Sequence, residues 1–95
     1  PLFGTKNVEI KSLSIIGKNK NVIKLVLKQD EIEFSGIIFT NYDKYIKYFN
    51  EKFKTSDILS EYNDIKNKFI DILYTPVINE YMNTKSIQLL IKDIR

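Results

Sequence analysis

Along most of this chain apolar residues recur at every second position; along one stretch they recur at every third or fourth. Val22 to Gln29 is the clearest case of the first kind. Ile23, Leu25 and Leu27 alternate with Val22, Lys24, Val26 and Lys28, the pattern of a strand with one face in a core. Val8 to Ile16 also reads as a strand, but Val8 and Ile10 have one parity and Leu13 and Ile15 the other. A slip of one position reverses the face of every later side chain, so a β-bulge or sharp coil is expected near Lys11-Ser12. Between these strands Gly17-Lys18-Asn19-Lys20-Asn21 is a polar turn, opened by a residue that takes φ > 0 at little cost. Asp30-Glu31 make a tight connection to a third strand, Ile32 to Phe39, with Ile32, Phe34, Gly36 and Ile38 on one face. Pro1 to Gly4 reads as a lead-in.

The period then changes. Tyr42, Tyr45, Ile46, Phe49 and Phe53 stand at helical spacing, with Lys44, Lys47, Glu51 and Lys54 on the opposite face. Thr40 is the expected N-cap, with Asp43 at the third helical position as in a capping box. Thr55 to Lys68 is either a second short helix or a packed loop, on the strength of Ile58, Leu59, Tyr62 and Ile65. Phe69 to Tyr74 is a strand. Pro76 either interrupts it or lies on an edge where no N–H is needed. Val77 to Met82 continues it, Asn83-Thr84 turns the chain, and Ser86 to Ile94 is the last strand. Three strands, a helix and two strands describe an all-β fold with an inserted helix. This is the order of the OB-fold, a five-stranded Greek-key barrel, whose helix would plug the bottom of the barrel. The competing arrangement is an open α+β sheet packed on one helix.

A chain of 95 residues forms one domain, here 1–95. It begins with Pro1 rather than Met, as expected of a fragment of a longer chain. No apolar run is long enough to span a bilayer and no leader pattern opens the sequence; a cytoplasmic location is the expectation. Cysteine and histidine are both absent. That excludes disulfide and thiolate chemistry, and it removes the commonest general base and metal ligand. No catalytic residue, metal site or cofactor is expected in this fragment, although carboxylate-only catalysis stays open. The three glycines are scattered and form no phosphate loop. Asp30/Glu31 and Asp57/Glu61 have no neighbour suited to orient them and sit where turns and helix starts place acids.

Charge changes the picture. The net charge is +3, yet residues 1–28 carry six lysines against Glu9 alone, a net +5, leaving −2 for the rest. A one-sided basic region suits a polyanion; a lysine-rich surface from a biased composition accounts for it equally well. Lys18, Lys20 and Lys24, with Asn21 among them and Lys28 further along the same face, are the candidate contacts to nucleic-acid phosphates. In OB-folds the first hairpin loop and the exposed face of strands two and three form the usual groove for single strands. Phe39, on the outer parity of strand three, either stacks a base or packs against the helix or another domain. Tyr81 either stacks a base near the barrel's mouth or is half-buried with its hydroxyl in water. Asn79 and Gln88 stand across the last hairpin and either tie its rim or read a nucleotide.

Several local patterns occur in a fixed order: Pro1-Leu2-Phe3 followed by Val8; Gly17-Lys18-Asn19-Lys20-Asn21-Val22-Ile23-Lys24-Leu25; Gly36-Ile37-Ile38-Phe39; Asn79-Glu80-Tyr81; and Gln88-Leu89-Leu90-Ile91-Lys92-Asp93-Ile94. Together they resemble the OB domain that follows the catalytic core of RecJ, the single-strand-specific DNA exonuclease of the DHH phosphoesterase superfamily. The likeness covers nearly the whole chain. It implies an accessory domain that grips single-stranded DNA for a 5′→3′ exonuclease of recombination and repair. It implies catalytic domains in the same chain, where aspartates and histidines hold manganese or magnesium, and single-strand-binding protein as a candidate partner. Val22 stands where the family often has histidine, which removes a polar contact there. Asn83 stands where the family often has glycine; asparagine tolerates left-handed geometry.

Overall fold

The computed structural model describes all 95 residues, the side chain of Tyr81 excepted. Five strands and a helix follow the expected order: β1 (Phe3–Ile16), β2 (Val22–Gln29), β3 (Ile32–Ile38), α1 (Tyr42–Phe53), α2 (Ile58–Glu61), a 3-10 turn at Tyr62–Asp64, β4 (Phe69–Tyr81) and β5 (Thr84–Ile94). The strands close into a barrel in the order β1-β2-β3-β5-β4. Closure removes the open-sheet alternative and establishes the OB-fold.

β1 starts at Phe3, so the supposed lead-in is strand. It pairs with β4 from Phe3↔Tyr74 to Glu9↔Phe69 and then with β2 from Glu9↔Lys28 to Ile16↔Val22. One strand serves two neighbours because it bends, and the register slips between Ile10 and Ser12, where the parity of the sequence changes. β4 runs unbroken through Pro76, which pairs with Leu89. Its β1 partner ends at Tyr74, so beyond that point the edge away from β5 has no strand to receive an N–H, and proline fits there.

Inward residues of all five strands form one core: Val8, Ile10, Ile23, Leu25, Leu27, Ile38, Ile70, Ile72, Leu89, Ile91 and Ile94 are buried. Gly36 lines this interior because space is short. A Cβ there would lie 2.6 Å from Ile91 Cδ1 and 3.3 Å from Leu27 Cδ1. α1 seals one end with Tyr45 and Phe49, both buried, while Tyr42, Ile46 and Phe53 pack beside them half-exposed. Burying a phenylalanine such as Phe49 stabilises by roughly 1.5–3 kcal/mol.

The expected capping box does not form. The N-cap of α1 is Asn41, in the left-handed region at φ 59°, and no side chain caps it. The Asn41 carbonyl accepts the first helical bond from Tyr45 N–H, and with that backbone Thr40 lies outside the helix. Residues 55–68 resolve into α2 and the 3-10 turn. They are organised from Asn50 Oδ1, which accepts from Thr55 Oγ1 at 2.8 Å and from Ile58 N–H at 2.7 Å. Asp57 caps α2 by accepting from Leu59 N–H. The Glu61 carboxylate accepts from both N–H groups of Ser56-Asp57 and from Ser56 Oγ; those bonds, Asp57 N–H first, hold its carboxyl below the usual range. The last turn also differs by one residue: Tyr81 pairs with Thr84, so Met82-Asn83, both at positive φ, make it.

Candidate functional site

The β1–β2 turn places Lys18 and Lys20 at its tip, exposed beside Asn21. Gly17 at φ 91° and Lys20 at φ 52° reverse the chain, and the Lys20 N–H closes the turn on the Gly17 carbonyl. Lys24 follows on the outer face of β2, half-buried, between Ser14 of β1 and Ile37 of β3. Among the described residues none of these three amines lies within salt-bridge distance of a carboxylate; the ion pairs are Lys11–Glu9, Lys28–Glu31 and Lys47–Glu51. The structure therefore brings Lys18, Lys20, Asn21 and Lys24 to one end of one face.

Lys28 stands apart. Its ammonium is 3.6 Å from Glu31, and its cross-strand neighbours are Glu9 and Glu33. A cation ringed by three acids presents little net field to a polyanion. Between Lys24 and Lys28 the outer face carries Ser12, Val26 and Ser35 in one row. These are small side chains over which a ligand backbone can pass closely.

Phe39 lies just beyond β3 with 57% of its surface exposed. More than half of its surface is therefore open to a further contact. Ile37, of the same outer parity, is buried at 3%. The Tyr81 side chain lies outside the described residues. Asn79 Nδ2 donates to Gln88 Oε1 at 2.9 Å, a diagonal pair, since their direct partners are Ser86 and Val77. The two carboxamides thus bond to each other across the hairpin. Asp30 and Glu31 form the β2–β3 turn at positive φ, where Glu31 also meets Lys28, and Asp57 and Glu61 order the start of α2. Among the described residues no group of three or more His, Cys, Asp or Glu is placed to hold a metal ion. Among them too, no helix is long and apolar enough to cross a membrane.

The sequence reading missed one concavity. β3 and β5 pair in parallel only at Ser35↔Gln88, Gly36↔Leu89 and Ile37↔Leu90. Earlier along both strands they part, and a groove of about 1080 Å³ opens between Ile32–Ser35 on one side and Lys85–Ile87 on the other, with Ile78 and Tyr74 also lining it. None of the lysines singled out from the sequence reaches it. The signal available in the sequence was length: β4 and β5 continue with Ile78 and Ile87 well past the residues that the barrel needs.

A family model described as the RecJ OB domain matches residues 1–93. No curated protein matches the chain.

Proposed function

Because the chain belongs to the RecJ OB domain family, we propose that it is the nucleic-acid-gripping accessory domain of a RecJ-type 5′→3′ exonuclease acting on single-stranded DNA in recombination and repair in the cytoplasm. The observation that carries this reading is the grouping of Lys18, Lys20 and Lys24 at one end of the outer β1–β2 face with no carboxylate partner. Phosphates meet the amines, and binding is driven in part by release of the counterions they displace. The row of Ser12, Val26 and Ser35 lets the backbone lie close to the sheet. Phe39 offers a face to one base, a contact of about 1–3 kcal/mol in single-strand binders. Lys28, held among acids, contributes less than the other three.

The domain positions the strand, and the bond-breaking chemistry belongs to the catalytic domains of the same chain, where manganese or magnesium would be held. Those domains and single-strand-binding protein are its protein partners in this reading. The test is fluorescence anisotropy with a labelled single-stranded oligonucleotide at low salt. Weak, largely sequence-independent binding is expected, and it should collapse in the Lys18→Glu/Lys20→Glu/Lys24→Glu variant. Unchanged affinity in that variant would reject the lysine face as the DNA site.

A further inference from the structure

The groove between β3 and the β4–β5 hairpin has features that suit a different ligand. Were the parallel register of β3 and β5 continued, Phe34 would oppose Ile87 and Ile32 would oppose Lys85. Instead pairing stops at Ser35↔Gln88, which leaves two strand edges facing each other across an open gap. Each edge is paired on its far side only, Ile32–Phe34 to β2 and Thr84–Ile87 to β4. In a two-residue hairpin the pair flanking the turn, Tyr81 and Thr84, exchanges backbone hydrogen bonds, and every second pair after it does the same. Ser86 and Gln88 therefore bond to β4, while the N–H groups of Lys85 and Ile87 point into the gap.

The side chains around those free groups are apolar and exposed. Ile32 is 65% exposed, and the cross-strand partners Ile78 and Ile87 are 69% and 63% exposed. Exposed edges are usually blunted by charge, proline or cover, because they template pairing with another chain. Here Lys85 and Glu33 are the charged residues of the lining, one of each sign. A near-neutral trough with a single cation does not match a polyphosphate backbone. Nor do two short strand edges and three exposed isoleucines approach the roughly 1,200–2,000 Å² buried by a stable pair of globular surfaces.

We propose that this gap is a strand-accepting site, which takes an extended, near-neutral peptide segment with alternating apolar side chains. The segment runs antiparallel to β5 and accepts from the N–H groups of Lys85 and Ile87. Its inward side chains cover Ile78 and Ile87 and meet Ile32 and Phe34 across the trough. Backbone bonds supply affinity and the alternate apolar pockets supply selectivity, as in other cases of strand addition. None of Lys18, Lys20 and Lys24 lines this site, which does not rest on the DNA reading, although Val26 and Ser35 border both.

The experiment uses a capped peptide of about eight residues, long enough for one strand, with valine alternating with threonine. It is titrated into the protein and followed by amide hydrogen exchange. Saturable binding is expected, with slowed exchange at Lys85 and Ile87. A peptide N-methylated along its pairing edge keeps its side chains but blocks its approach as a strand, and it should not bind. The Ile78→Glu/Ile87→Glu variant should weaken binding at least about tenfold; both side chains are exposed, so the fold is retained. The Lys18→Glu/Lys20→Glu/Lys24→Glu variant should bind the peptide as before, whatever becomes of the DNA reading. Equal binding of the N-methylated peptide, or indifference to the Ile78/Ile87 change, would overturn strand addition. So would protection of these amides by a single-stranded oligonucleotide but not by the peptide.

Discussion

Tyr62 shows how much one side chain can link. Its hydroxyl donates to the Ile10 carbonyl at 2.6 Å, beside the bulge that bends β1, while the Lys68 ammonium lies 3.9 Å from its ring centre. Burial, helped by the nearby Glu9 charge, pushes its pKa up to about 12 from an ordinary 10.0. The raised value fixes the sign of its pH dependence. The neutral form is favoured in the folded state, so its contribution is full below pH 10 and is lost as pH rises through about 12. Tyr62→Phe should flatten that alkaline loss. It should also lower stability near neutral pH by about 1–3 kcal/mol, because the Ile10 carbonyl is left without its partner. Urea denaturation followed across pH 7 to 12 measures both effects. The sequence placed Tyr62 in a packed segment; nothing in it could reveal a bond to a residue 52 positions away.

At the scale of elements, the strands follow their alternation closely. β2 has the boundaries that its pattern implies, and the bulge in β1 falls where the parity changes. Cap and turn details do not follow so simply. Thr40 and Asp43 match a capping box in spacing alone, but the left-handed Asn41 turns the chain out of the geometry that the box requires. Asp30 and Glu31 occupy a hairpin turn at φ 52° and 67°, positions that favour Asn and Gly. A non-glycine side chain in this region costs roughly 1–2 kcal/mol. Glu31→Gly should therefore stabilise the protein by about 1 kcal/mol, less whatever the Lys28–Glu31 ion pair contributes, a difference readable as a higher midpoint in urea. The same change frees Lys28 from one of its three acids, so any gain in oligonucleotide affinity should accompany it.

Over the whole molecule, charge and apolar surface are sorted to different places. Lys18, Lys20 and Lys24, three of the lysines with no carboxylate within salt-bridge distance among the described residues, lie by the β1–β2 turn, and Ile32, Ile78 and Ile87, three of the four exposed isoleucines, lie where β3 and β5 separate. If the first set grips phosphates, the neutral variant Lys18→Gln/Lys20→Gln/Lys24→Gln should reduce the slope of log affinity against log salt by about 2, at roughly 0.7 per phosphate contact on a single strand. An unchanged slope would place the phosphates elsewhere. The amino-acid order alone determined the strands, the helix, the core face of each and the excess of positive charge in the first 28 residues, because alternation and charge are local properties of a chain. Only the closed barrel decided which of those charges stand free and which are matched: Lys24 meets serine and isoleucine across its neighbouring strands, and Lys28 meets two glutamates. The barrel also decided where β3 and β5 part company. Both outcomes depend on register between segments distant in sequence, and no local pattern encodes register.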